Sequence, residues 1–320
     1  MTKFAQPFAV LATALASILY VAPAHALLSR TCVSAATGND ANAANSCDCS
    51  TPCRTFQTAH NNTADQGELT VLDPGGYGAL TVTKSISVVN DGGGEASMLV
   101  SGGGTGITIN ASAAGGYVNL RGLTVQGVSG GTSTGLRFNT GISLTMENCV
   151  IRNHTGNGIE FYPNASSQIS VSSTLLSDNG GHGIHIQPVA ASAVKALFNR
   201  VEAYGNSQDG ILVAAALNSV AIKATAVDTV AANNGGSGFL ATGGFAGGIN
   251  LMVARSVAAN NSGTGIAALG LGAHVRVTRS TVTGNGQGWQ AANAFLESYG
   301  DNNVDGNTPD GSASGSLSTK

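Results

Sequence analysis

From residue 144 onward, apolar and polar positions alternate with a period of two in short runs, each closed by Asn or Gly. Such alternation over four to eight residues predicts a strand with one buried face. The runs themselves recur. LTMENCVIRNHTGNGIEF, ISVSSTLLSDNGGHGIHI, ALFNRVEAYGNSQDGILV, ATAVDTVAANNGGSGFLA and LMVARSVAANNSGTGIAA align without gaps on Gly158, Gly183, Gly210, Gly238 and Gly265. These glycines lie 25, 27, 28 and 27 residues apart, and weaker copies end in Gly135 and Gly288.

A repeat of this length also occurs in leucine-rich solenoids, which need regularly spaced leucines and a helical half; neither is present here. One unit cannot bury its own apolar face, but stacked coils form a continuous core. The columns Met146, Val171, Phe198, Ala226, Val253 and Ile151, Leu176, Ala203, Ala231, Ala258 precede the glycine. Ile159, Ile184, Ile211, Phe239, Ile266 and Phe161, Ile186, Val213, Ala241, Ala268 follow it. All four columns are predicted to point inward. Four positions before the glycine stand Asn179, Asn206, Asn234 and Asn261, with His154 in the first aligned copy. Asn tolerates the left-handed conformation of a tight corner, and stacked amides can bond along the axis. The glycine is expected at a position closed to a Cβ.

These units resemble the right-handed parallel β-helix repeats of the pectin-lyase-like superfamily. The segment PCRTFQTAHNNTADQGELTVLDPGGYGALTVTKSISVVNDGG is similar to the start of many secreted β-helix proteins, where a short capping helix leads into the first coils. Phe56, Ala59, Thr63 and Ala64 give one face at helical spacing. AFLESYGDNNVDGN resembles the closing strand and turn. The resemblance spans residues 52–307 and implies an all-β fold, a right-handed parallel β-helix of about nine to ten coils. It is specific for fold and weak for function, since the superfamily holds lyases, hydrolases, epimerases and proteins without assigned activity.

Residues 1–26 read as an export signal, with Lys3 ahead of an apolar stretch from Phe8 to Val21 and Ala24-His25-Ala26 as the cleavage site. A secreted or periplasmic location follows. Residues 27–66 form a Cys-rich N-terminal cap with a short helix, 67–307 the β-helix, and the Gly/Ser/Asp-rich 308–320 a disordered tail. No later segment approaches the ~20 apolar residues of a membrane span. The formal charge is −3, and removing Lys3 with the signal makes it −4, 13 basic residues against 17 acidic. That balance argues against nucleic acid as a partner.

Cys32, Cys47, Cys49 and Cys53 crowd the start of the mature chain. In an exported protein this reads as two disulfides, with three pairings open in principle. Cys47 with Cys49 is disfavoured because one intervening residue gives poor bridge geometry. A four-thiolate zinc site is the alternative, although paired C-x2-C knuckles are lacking. Cys149 sits in a strand-like run as a small core residue.

Gly181-His182-Gly183 matches one element of polygalacturonase-like hydrolases, but their N-T-D motif, adjacent aspartates and R-I-K are absent. Their inverting chemistry needs two placed carboxylates. A pectate-lyase-like calcium cage of clustered acids is absent as well. One constellation emerges when the repeats are stacked. Asn157, His182 and Asp209 precede the glycine in successive coils, Glu160 and His185 stand two positions after it, and Tyr162 and Gln187 four after it. Neighbouring coils are ~4.8 Å apart, so these become adjoining outward columns. His182, His185, Glu160 and Asp209 are the candidate catalytic groups, and Asn157, Tyr162 and Gln187 the candidate substrate contacts. The competing reading is ordinary outward polarity with paired charges.

A second column, Arg200, Asp228, Arg255 and Arg279, has Lys195 and Lys223 nearby. It reads as a ladder in which Asp228 bridges two arginines, or as a cationic strip for an anionic polysaccharide. Trp289 and Tyr204 are lone aromatics that could stack on sugar rings. The leading function is a non-catalytic, monomeric structural or interaction scaffold that contacts polysaccharide or cell-surface glycan, with no cofactor or metal. The alternative is a polysaccharide lyase, epimerase or hydrolase acting on an acidic polysaccharide.

Overall fold

The computed structural model describes residues 27–318 apart from 113, 114, 129, 216–219 and 245–247; the expected signal peptide lies outside the described residues. Every strand pairing is parallel, and from Thr63–Val71 to Asn303–Val304 successive strands of the chain enter three different sheets in rotation. The sheets hold twelve, ten and nine strands among the described residues. Nine strands in the shortest sheet make eight turns from first to last, a rise of about 38 Å at one strand spacing per turn.

Register confirms the inward columns. Met146 pairs with Val171, Val171 with Phe198, and Phe198 with Ala226 along the twelve-stranded sheet. Ile151, Leu176 and Ala203 line up in the ten-stranded sheet, and Ile159, Ile184, Ile211 and Phe239 in the nine-stranded one. All of these side chains are buried.

The corner between the ten- and nine-stranded sheets holds the asparagines. Asn179, Asn206, Asn234, Asn261 and Asn285 each donate from Nδ2 to the Oδ1 of the asparagine one coil on, at 2.8–3.0 Å, ending on Asn307. The same Oδ1 also accepts a backbone amide, as from Asn206 to Asn234 at 3.0 Å. The ladder asparagines are not left-handed, contrary to expectation. That conformation falls one residue earlier, at Asn153, Asp178, Gly205, Asn233 and Asn260. The earlier residue makes the corner, which leaves the ladder amide pointing into the stack. His154 starts the row, its amide donating to Asn179 Oδ1 at 3.1 Å. The repeat glycines are closed to a Cβ as expected: one on Gly183 would meet the Gly210 carbonyl at 2.6 Å.

At the N-terminus the pairing is Cys32–Cys49 and Cys47–Cys53, so the four thiols are consumed in disulfides. The capping helix, Phe56–Asn62, buries Phe56 and Ala59. It is shorter than the expected face, because Thr63 already begins a nine-residue strand, Thr63–Val71. Leu28–Val33 pairs with that strand, so part of the cap belongs to the twelve-stranded sheet itself. The described part of the C-terminal segment, 308–318, differs from the disordered tail expected there. Gly315–Ser316 pairs with Phe295–Ser298, and Gly288 and Trp289 donate to the Pro309 and Asp310 carbonyls. The open backbone edge of the last coil supplies the partners that make this order favourable.

Candidate functional site

The site rows lie on the outer face of the nine-stranded sheet and on the loop edge leading into it. Ile159–Phe161 pairs with Ile184–Ile186, which sets Glu160 directly beside His185. The inward neighbours of each are isoleucines and a phenylalanine, and this alternation drives the polar side chains outward.

The row before the glycine is a capping series. Asn157 Oδ1 accepts the His182 amide at 2.7 Å, His182 Nδ1 accepts the Asp209 amide at 3.2 Å, and Asp209 Oδ1 accepts the Ser237 amide at 2.6 Å. His182 Nδ1 also lies 3.1 Å from Asp209 Oδ2. One nitrogen serves one of these contacts at a time. A neutral ring accepts the amide, whereas a ring protonated at Nδ1 donates to the carboxylate.

The adjoining row carries the charge. Glu160 is buried; its Oε1 accepts from Asn157 Nδ2 at 2.9 Å and its Oε2 from Arg137 Nη1 at 3.2 Å. Arg137 lies over the Tyr162 ring, 5.4 Å from its centroid. Arg137 escapes notice in the sequence because its repeat is one of the weaker copies. Aligning that copy on Gly135 puts Arg137 two positions on, in the Glu160 and His185 column, and register agrees.

Tyr162 Oη and His185 Nδ1 are 2.7 Å apart. The His185 ring meets Tyr162 edge-on at 5.1 Å and the His182 ring at 4.9 Å. Burial, followed by repulsion from His182, pushes His185 down to about 4, against weaker opposing effects of Asp209 and Gln187. Burial and then the Glu160 charge push Tyr162 up to about 12. Both groups are therefore uncharged near neutral pH. Past His185 the face opens into a shallow depression of about 310 Å³ bounded by His185, Gln187, Leu212 and Thr242.

All seven sequence-predicted residues thus gather on one face. Other candidates fare differently. Trp289 is buried, so it offers no ring for stacking, while Tyr204 is exposed on another face. Asp228 does not bridge two arginines. Arg255 takes it bidentately at 2.8 and 3.1 Å, whereas Arg200 donates to Ser173 Oγ at 3.2 Å. Among the described residues no group of three or more His, Cys, Asp or Glu is placed to hold a metal.

Residues 143–310 match the family described as right handed beta helix region. The chain belongs to that family. Among solved structures, this β-helix is similar to the pectate lyase Pel9A, at a TM-score of 0.65 and 19% identity over 89% of this chain and 81% of that one. It is similar also to a rhamnogalacturonan lyase, at 0.51 and 15% over 88% of each chain. A GH136 lacto-N-biosidase from Eubacterium ramulus superposes at 0.52 and 11%, over 91% of this chain and 67% of that one. At these identities the likeness is one of fold. No curated protein matches the chain in sequence.

Proposed function

We propose that this protein is an exported, monomeric, non-catalytic scaffold that contacts polysaccharide through the polar face around Glu160, Tyr162, His182 and His185. The observation that carries the reading is the commitment of both carboxylates. Glu160 is held by Arg137 and Asn157, and Asp209 by the Ser237 amide and His182. A general base or nucleophile must be presented to substrate, whereas both acids are buried and turned by these bonds into the wall of the β-helix. What faces outward is a flat set of amides, imidazoles and a phenol, suited to sugar hydroxyls and ring faces. The two disulfides favour an oxidising compartment, consistent with export. The fold is shared with proteins named as lyases of pectate and rhamnogalacturonan, which fits a glycan partner.

One observation favours a second reading, a lyase or epimerase. With His185 donating from Nδ1 to Tyr162, Nε2 carries the lone pair that would remove the proton beside a sugar carboxylate. The Tyr162 hydroxyl keeps its own proton and can pass it to the departing oxygen.

The test is a screen of the oxidised protein against polyuronides and neutral glycans, following unsaturated products by ultraviolet absorbance alongside reducing ends and binding. Binding without turnover is expected. Turnover abolished by His185→Asn and by Tyr162→Phe would replace the scaffold with the enzyme.

A further inference from the structure

The twelve-stranded sheet carries a feature that the nine-stranded face does not explain. On its outer side, strand register stacks Tyr117, Ser143, Gln168, Lys195 and Lys223 in one straight row along the axis. Lys195 and Lys223 are direct neighbours on adjacent strands, both exposed, and neither forms an ion pair among the described residues. The sequence holds only five lysines, so two stacked together is a concentration rather than a background. Like charges directly opposite on adjacent strands destabilise a sheet. The fold gains nothing from this pair, and an outside anion would relieve it.

The neighbourhood is shaped for a ligand. Beside Lys195 an open depression of about 290 Å³ is bounded by Ser143, Thr145, Gln168, Ser170 and Leu197. A second, of about 330 Å³, is bounded by Tyr117, Asn119, Gln66 and Ser87. Ser143 pairs in register with Tyr117, so the two depressions abut. Together they form a shallow track from an exposed aromatic ring, past a bed of hydroxyls and amides, to two cations. From Tyr117 to Lys223 is four strand spacings, about 19 Å.

We infer that this track is a second glycan surface that binds a uronate-bearing oligosaccharide lying along the β-helix axis. Tyr117 would pack on a sugar ring, the polar bed would meet hydroxyls, and Lys195 and Lys223 would each meet a carboxylate. One cation per coil suits a polymer with one carboxylate per sugar, whereas a densely sulfated chain needs more than one per coil. The surface is distinct from the Glu160–His185 face, which lies on another sheet.

The experiment is calorimetric titration of the full oxidised protein with an oligogalacturonate hexamer, with a neutral cello-oligosaccharide and dextran sulfate as comparisons. The hexamer binds, more weakly as salt rises, and the neutral sugar does not. Lys195→Gln/Lys223→Gln weakens binding at least tenfold, and Tyr117→Ala weakens it severalfold. The lysine variant melts no lower than wild type, because it removes a repulsive pair. Wild-type affinity in that variant overturns the inference, as does dextran sulfate binding more tightly than the hexamer. If binding is instead lost in His185→Asn and Tyr162→Phe while the lysine variant is unaffected, the track falls and the other face stands.

Discussion

Asn157 and His182 are joined across two coils by a 2.7 Å bond from the His182 amide to the asparagine Oδ1. The same arrangement repeats from His182 to Asp209 and from Asp209 to Ser237. The row that looks most like a catalytic constellation is therefore also a backbone-capping ladder, and substitutions in it must be read for stability before activity. Asp209→Ala leaves the Ser237 amide, at a buried position, without its acceptor and should cost about 1–3 kcal/mol. Asp209→Asn keeps an acceptor oxygen and should recover most of that loss. Urea unfolding of the two variants separates capping from charge.

The asparagine ladder predicts a position-dependent cost. Asn206→Ala leaves the Asn179 backbone amide without its acceptor and takes one bond each from the Asn179 side-chain amide, the Leu176 carbonyl and the Asn234 oxygen, all in the interior. We expect about 3 kcal/mol or more. Asn307→Ala, at the last rung and only part-buried, should cost less than half as much. Equal losses at the two positions would show that the ladder is not a cooperative buried network.

Acid should weaken the fold through His185. Its ordinary value is 6.5 and burial holds it at about 4, so between these pH values the unfolded chain binds the extra proton. Stability is complete above pH 6.5, declines as pH falls towards 4, and is flat with respect to this group below that. His154 and His60, also lowered by burial, act in the same direction. The contribution of His185 should be about 1–2 kcal/mol, allowing for solvent reaching a part-exposed ring. Melting curves at pH 7 and pH 4.5 for wild type and His185→Asn check this, the variant showing the shallower dependence.

Removal of the disulfides should act unequally. Cys32–Cys49 closes 17 residues and Cys47–Cys53 closes 6. Loop-closure entropy gives about 3 kcal/mol for the longer and about 2 for the shorter. Hydrogen exchange in Leu28–Val33, which pairs with the first long strand, should accelerate more in Cys32→Ser/Cys49→Ser than in Cys47→Ser/Cys53→Ser.

Local chemistry made much of this protein legible in its sequence. Period-two alternation and a recurring glycine are enough to stack Ile159, Ile184 and Ile211 inward and to bring Glu160 beside His185, because a side chain's face is decided by its parity along a strand. Three things were decided only in three dimensions. The disulfide pairing depends on which of the loop cysteines the folded cap brings to Cys32 in the first strand, and it is Cys49. Arg137 reaches Glu160 through a long side chain from a faint repeat. The commitment of Asn157, His182 and Asp209 to backbone amides depends on side-chain direction at a loop edge, where parity no longer applies. Alternation along a strand is a property of the chain itself; the length and angle of a reaching side chain become definite only once the neighbouring coil is in place.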